Sequence, residues 1–323
     1  MHLKTKVPQQ SRFLSTNLSG FLAALGAYAI WGIFPLYMKA VSHIAVVEVV
    51  AHRILWSLPI ALVILFISGH LQSFWQAIKN TKMLLMACLT SALITTNWSV
   101  YVWAIANNHA VDAALGYYIN PLFNVMLGMI FLRERLNLGQ WSAVILALIA
   151  VVVLTINAGG LPWVAVLLPV TFGFYAFFRK SLPIGPTEGF ALETLILFLP
   201  ALIVAGYFIY NGNDHIIHGS WKDICLLIMA GPFTAIPFIL FATGAKSLSL
   251  TTIGLMQYLT PTFLFIIAVF VFHEPFSHIQ LVAFSLIWIG LIIYTLASFS
   301  THHRQKKIKT IVEVNPSKQS PAK

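Results

Sequence analysis

Glu48, His52 and Arg53 stand within six residues of one another in an otherwise apolar stretch, and Glu193 stands inside another. Ionisable groups inside hydrocarbon cost about 2.5–3.5 kcal/mol each to insert, so where they are kept they mark solute contact, ion coupling or gating. Glu48 and His52 are four apart and share a helix face. Arg53 lies about 12 Å from the nearer end of its stretch at 1.5 Å per residue. A carboxylate set as deep as Glu193 is a candidate proton carrier. Two blander readings stay open. Glu48 and Arg53 can form an ion cluster with Lys39 at a membrane surface, snorkelling to water. Glu193 can anchor a helix end beside Glu188.

Neutral polar groups recur at helical spacing. Tyr117 and Asn120 lie three apart with Tyr118 between them, and Gln257, Tyr258 and Thr260 repeat the pattern 140 residues later. Asn97 and Tyr101 lie four apart, with Trp98 beside the first. Such faces offer hydrogen bonds to a passing solute, or lock helices together. Pro121 and Pro261 follow the two patterns and free backbone carbonyls upstream, which bind a solute or permit a bend. Trp31 stands in mid-stretch, away from the interfaces where tryptophans collect. Deep indoles suit stacking and cation–π contact with a planar or amphipathic molecule, or serve as packed bulk. The candidate binding set is therefore Trp31, Asn97, Trp98, Tyr101, Tyr117, Tyr118, Asn120, Gln257, Tyr258 and Thr260. The candidate coupling or gating set is Glu48, His52, Arg53 and Glu193.

None of this is bond-making chemistry. The nine acids are scattered, and the close His–Asp pair that stands out is His109 with Asp112 in a short loop. No His-Glu-x-x-His, Walker or dinucleotide-glycine pattern occurs. No cofactor, metal or catalytic residue is expected, and a membrane-embedded enzyme is the weakest reading. A channel would show a ring of like charges or a repeated filter. Cys88 and Cys225 read as small core residues without metal or disulfide spacing.

The elements that must hold these residues are membrane helices. Of 323 residues, 59% are apolar and 9% charged, with mean hydropathy +0.86. A soluble domain carries about 25% charge, so a water-facing globule is excluded. A ruler of about 20 apolar residues per crossing gives ten spans, near 18–40, 45–68, 83–106, 111–132, 138–157, 161–179, 188–209, 222–244, 250–272 and 278–299. Connections are short and rich in turn formers, such as Asn157-Ala158-Gly159-Gly160. With both termini in the cytoplasm, 16 of the 19 Lys+Arg fall on that side, leaving Lys39, Arg53 and Lys222. The basic tail after Thr301 fits a cytoplasmic end under the positive-inside rule, ahead of a role in binding anionic lipid, and nucleic acid is not an expected partner.

Shifting the sequence by 140 residues lays Tyr118-Ile119-Asn120-Pro121 on Tyr258-Leu259-Thr260-Pro261 and Glu134 on Glu274. A shift of 141 lays Gly32 and Lys39 on Gly173 and Lys180, and Pro59 on Pro200. Five spans is an odd number, so the second copy runs upside down. The expected division is a cytoplasmic tail at 1–17, a first five-helix repeat at 18–157, a second, inverted one at 161–299, and a basic cytoplasmic tail at 300–323. Inverted repeats of this kind carry a solute site near the midplane where the halves meet.

The chain resembles the EamA-type branch of the drug/metabolite transporter superfamily, and within it the RarD-like permeases. The resemblance runs from about Leu18 to Ser300. It is carried by Gly26-Ala27-Tyr28-Ala29-Ile30-Trp31-Gly32 with Pro35, by Glu48 to Arg53 with Trp56, and by Asn97-Trp98 with Tyr101-Val102-Trp103-Ala104. The most specific stretch is Ala114-Leu115-Gly116-Tyr117-Tyr118-Ile119-Asn120-Pro121. It implies a ten-helix bacterial inner-membrane permease related to exporters of amino acids and other metabolites, with a link by name to chloramphenicol sensitivity. The expectation is thus an all-α polytopic membrane protein acting as a secondary transporter. It would export small metabolites such as amino acids, or amphipathic drugs, by alternating access around a cavity lined by spans three, four, eight and nine. Protons are its candidate coupling ion and membrane lipid its surroundings. An uncoupled facilitator or channel is the alternative.

Overall fold

A computed structural model of the chain describes residues 9–106, 110–271 and 277–314. Among the described residues every regular element is a helix: α1 (Gln9–Ala40), α2 (Val46–Ile67), α3 (Leu71–Lys79), α4 (Thr81–Ala106), α5 (Ala110–Phe131), α6 (Leu138–Asn157), α7 (Trp163–Ser181), α8 (Pro186–Tyr210), α9 (Trp221–Ser247), α10 (Leu250–Met256), α11 (Leu259–Phe270) and α12 (His278–Val314). Eight of them are long and apolar enough to cross a bilayer. The fourth and ninth crossings fall to the shorter apolar part of α5, Leu115–Phe131, and to α10 with α11 in series. The protein is an all-α polytopic membrane protein.

Three features depart from the expected outline. The connection after the second crossing is a helix of its own, α3, with Phe74 and Ala77 buried and Trp75 exposed. Its alternating faces carry too little apolar length to register as a span. Helices α1 and α12 extend beyond their apolar runs, starting at Gln9 and continuing to Val314. Hydropathy marks where chain leaves hydrocarbon, whereas Gln, Lys and Arg sustain a helix equally well in water. Cys88 and Cys225 are exposed on their helices instead of buried. A membrane helix is apolar toward lipid as well as toward its neighbours, so residue type does not separate the two faces. His109, Glu274, Lys318 and Lys323 lie outside the described residues.

The ninth crossing breaks at Gln257 and Tyr258. Pro261 has no N–H, so the carbonyl of Gln257 cannot receive the usual bond from four residues on. It accepts instead from Thr260 N–H at 3.1 Å, and Tyr258 N–H reaches Leu255 at 3.2 Å. Pro261 thereby sits in the first turn of α11, where proline is tolerated. Pro121 at the corresponding place leaves α5 continuous.

The chain forms two compact units. The smaller holds α6 and α12, the fifth helix of each expected repeat, packed on one another. Gly139 lies against Ala297, and Gly290 against the Ala143 backbone, so the two backbones approach closely. The larger unit holds the other ten helices. In it α1 packs on α9 and α11, α2 on α8 and α9, α4 on α7, and α5 on α7 and α10. Each of these contacts joins an element of 18–157 to one of 161–299. Helices α2 and α9 touch where Gly231 faces Trp56; a Cβ on Gly231 would stand 2.5 Å from that of Trp56.

Candidate functional site

Aromatic side chains from α1, α4, α7 and α9 meet in the middle of the larger unit, and one charged group stands among them. Trp31 packs edge-on to Phe238 at 5.2 Å between ring centroids, and Trp98 meets the same ring at 5.8 Å. Arg53 projects from α2 with its guanidinium carbon 4.9 Å from the Trp98 ring centroid and 5.0 Å from that of Phe34. Its Nε donates to Thr234 Oγ1 of α9 at 2.9 Å. The rings of Tyr101 and Tyr117 pack together at 5.8 Å, and their hydroxyls, with that of Tyr37, lie within electrostatic reach of the guanidinium. Trp31, Arg53, Trp98, Tyr101 and Tyr117 are half-buried, so this constellation is not sealed.

Glu193, Trp98 and Thr234 all line one small void of about 10 Å³, room for about one water. The carboxylate is 3% exposed. Tyr175 O–H donates to its Oε2 at 3.2 Å, and Arg179 Nε stands 3.7 Å from Oε1. Arg179 is itself buried; Nη2 donates to the Pro186 carbonyl at 2.8 Å, while Nε and Nη1 have no hydrogen-bond partner. Gly189 provides the room, since a Cβ there would overlap Nη1. Sequence reasoning counted Arg179 among the cytoplasmic bases and left Glu193 alone. The missed signal was the short 182–185 turn, which folds α8 back along α7 and brings the two residues within reach.

Glu48 is fully buried at the start of α2. Both its oxygens are taken by one residue of the α8–α9 loop: His215 N–H donates to Oε1 at 2.6 Å, and His215 Nδ1 lies 2.8 Å from Oε2. The cluster with Lys39 and Arg53 therefore does not assemble; Arg53 turns toward α9. His52 is buried one turn below Glu48, its Nδ1 without a hydrogen bond. The same end holds His43 Nε2 at 2.7 Å from Asp223 and His218 Nδ1 at 2.5 Å from Asp214. Burial pushes the Asp214 carboxyl up, but bonds from His218 and from the N–H groups of Ile217 and His218 outweigh it and hold the pKa below its ordinary value. A depressed carboxylate stabilises the fold above its unfolded pKa of about 3.9 and loses that effect as pH falls through the native value. Thermal unfolding followed from about pH 5 down to about pH 2 should show an acid-side loss of stability that Asp214→Asn flattens. An unchanged slope in that variant would remove Asp214 from the acid transition.

The polar residues of α5 and α10–α11 are brought together, chiefly by bonds to one another and to backbone. Asn124 Nδ2 donates to Gln257 Oε1 at 3.0 Å, Tyr258 O–H to the Tyr118 carbonyl at 3.1 Å, and Thr260 Oγ1 to the Tyr28 carbonyl at 3.3 Å. Asn120 is buried with its Oδ1 unbonded. Asn97 ties α4 to α7 through the Leu168 carbonyl and Thr171 Oγ1, both at 2.9 Å. Of the expected binding set, then, Trp31, Trp98, Tyr101 and Tyr117 gather near Arg53, while Asn97, Tyr118, Gln257, Tyr258 and Thr260 bond across helix interfaces. Asn124, Thr234 and Phe238 complete these groups and were not anticipated.

The opposite end of the larger unit is tied by bonds to helix termini. Lys180 Nζ donates to the carbonyls of Ala245 and Leu248, and Lys246 Nζ to that of Leu182 at 2.6 Å. The Glu134 carboxylate accepts from the first N–H groups of α10, Leu250 at 2.7 Å and Thr251 at 2.9 Å.

The family model described as the EamA-like transporter family matches the chain twice, over residues 18–156 and 161–296. An uncharacterized transporter of Pseudomonas aeruginosa is 37% identical over 88% of this chain and 96% of its own length. The uncharacterized transporter YojE of Bacillus subtilis is 38% identical over 86% and 94%. Protein RarD of Escherichia coli is 36% identical over 89% and 97%. One solved structure, a crystal structure of a protein, shares the fold with a TM-score of 0.66 at 17% identity, covering 87% of this chain and 98% of that one.

Proposed function

Because the chain belongs to the EamA-like transporter family and is a multi-pass membrane transporter, we propose that it is a secondary permease. It moves small, partly apolar molecules by alternating access through the chamber around Arg53 and Trp98. The observation that carries this reading is the Arg53 guanidinium within a membrane-length helix, half-buried among indole and phenol rings while both ends of the unit are tied. His43, Glu48, His215 and Asp223 close one end; Glu134, Lys180 and Lys246 close the other. Every one of these ties links the two expected repeats, apart from Lys180 and Lys246, which link helices of the second. Rocking one repeat against the other must therefore break ties at an end, as inverted-repeat carriers do. No covalent step is involved.

Direction is outward across a bacterial inner membrane with both termini cytoplasmic, a reading supported by the placement of basic residues and by the exporters this family resembles. Proton coupling rests on Glu193, which lines a water-sized void together with Trp98 and Thr234, the two residues that contact Arg53. His52 and Glu48 belong to the gate at the α1–α2 end. Proteoliposomes holding the purified protein test this with labelled amino acids and amphipathic amides or acids, with and without an imposed pH gradient. Saturable flux driven by the gradient is expected, and Glu193→Gln should keep exchange while losing the gradient's effect. Gradient-driven flux surviving in Glu193→Gln would remove Glu193 from coupling. Saturable flux indifferent to the gradient would make the protein a facilitator.

A further inference from the structure

Among the described residues, most buried and half-buried charges of the larger unit have a charged or backbone partner within bonding reach; Glu188 and Arg53 do not, and Glu188 has Lys246 in its electrostatic neighbourhood. Glu48 has His215, Glu193 has Arg179, Lys180 and Lys246 have helix-terminal carbonyls, and Glu134 has two backbone N–H groups. Among the described residues Arg53 makes one side-chain hydrogen bond, from Nε to the neutral Thr234, and lies against aromatic rings and near phenol hydroxyls. Among the described residues no carboxylate comes within 4.0 Å of it. Guanidinium stays charged in proteins, and its terminal nitrogens carry a planar fork of donors that matches a carboxylate. An uncompensated charge in a low-dielectric interior is costly and strongly favours an arriving counter-ion.

Resting on the transport reading above, we propose that the transported molecule is an anion: a small monocarboxylate with a flat apolar body. Its carboxylate is taken by the terminal nitrogens of Arg53, with Tyr101 and Tyr117 as further hydrogen-bond donors. Its body lies against Trp98, Trp31 and Phe238, where rings already meet edge to face. Thr234 and the Trp98 face hold the guanidinium plane for the incoming group. The anion completes the charge balance of the chamber, so loading substrate and neutralising Arg53 are one event, and the empty chamber is the costlier state.

Two measurements test this on the full chain in detergent. The first is thermal unfolding without added ligand. Arg53→Met should raise the melting temperature, because it deletes a half-buried charge that has no carboxylate within 4.0 Å among the described residues, and a lowered melting temperature would show a structural partner and overturn the proposal. Arg53→Lys serves as the variant that keeps the charge but loses the fork. The second is binding, read from tryptophan fluorescence, of a matched set: 3-phenylpropanoate, phenylalanine, 3-phenylpropanamide and phenethylamine. The carboxylates should bind, the amide and amine should not; Arg53→Lys should weaken carboxylate binding about tenfold and Arg53→Met by about 100-fold or more. Equal binding of the amide or the amine, undiminished binding in Arg53→Met, or no binding of either carboxylate would each overturn it. Flux separates this from the transport reading. Saturable transport of the amide or amine would leave a permease standing with the wrong charge class, whereas carboxylate binding without flux would leave the charge class and remove the permease.

Discussion

Arg179→Met is expected to destabilise the protein by about 3–5 kcal/mol, the effect of leaving one member of a buried ion pair without its partner. The stranded group is Glu193, 3% exposed, which would keep the neutral hydroxyls of Tyr175, at 3.2 Å, and Thr90 but no positive partner. The pair is close enough to interact at 3.7 Å but not hydrogen-bonded along that line. Its net contribution is therefore small even though losing half of it is expensive. That distinction yields the sharper expectation. Arg179→Met combined with Glu193→Leu should recover most of the loss or exceed the parent, because two desolvated charges are replaced by apolar volume. Reversible unfolding in micelles, arranged as a double-mutant cycle, reads the coupling directly. Additive losses from the two single variants would mean that the residues do not act as a pair. The double variant also serves transport: it should fold, carry substrate, and show no response to a pH gradient if Glu193 is where the proton sits.

How much of this was legible in the sequence depends on which physical signal each residue carried. The crossings were, because some 20 apolar residues and a lopsided count of bases are local facts. Trp31, Trp98 and Tyr101, named for binding, and Arg53, named for coupling or gating, stood out separately, since polar or aromatic groups in mid-span are conspicuous wherever the fold puts them; that Arg53 lies against Trp98 was not legible. The partners were not. Glu48 meets His215 from 167 residues away, and nothing near either one announces it. Arg179 looked like one more cytoplasmic base because the count that orients helices does not distinguish a lysine at the surface from an arginine turned inward. Cys88 and Cys225 show the same blindness from the apolar side: in hydrocarbon, outward and inward faces have similar composition. The repeat came closest to giving long-range information. It placed Tyr118 opposite Tyr258, and the two do meet, through the Tyr258 hydroxyl and the Tyr118 carbonyl. Yet equal prolines gave unequal outcomes, a break before Pro261 and an unbroken α5 through Pro121, because the backbone bond that Pro261 forfeits is replaced by a tighter turn at Thr260.

Glu134→Ala is expected to open the end of the larger unit where α10 begins. Arg133 sits in the left-handed region at φ 54°, and this turn swings the Glu134 carboxylate over the start of α10. Helix starts leave N–H groups without partners, and α10 has only seven residues. The carboxylate satisfies two of those N–H groups, while Ser249 caps a third by accepting from Thr252 at 3.0 Å. Hydrogen bonds to a charged group contribute about 1.5–3 kcal/mol each, so removing both should cost the closed arrangement about 3 kcal/mol or more. If closed and open forms interconvert, that is a shift of about 100-fold in their ratio. Thr251, 2% exposed, reports it. A cysteine in its place should react with a membrane-impermeant maleimide at least about tenfold faster in the Glu134→Ala background, with Glu134→Gln in between because an amide oxygen still accepts one bond. Faster labelling without loss of melting temperature would identify Glu134 as a latch. Unchanged labelling with a lowered melting temperature would make it a static cap, and rocking of the repeats would then need a different contact between them to break at this end. The choice matters because α10 leads directly into the break at Gln257 and Tyr258. A segment that short, released at one end and already interrupted at the other, can pivot without unwinding anything else.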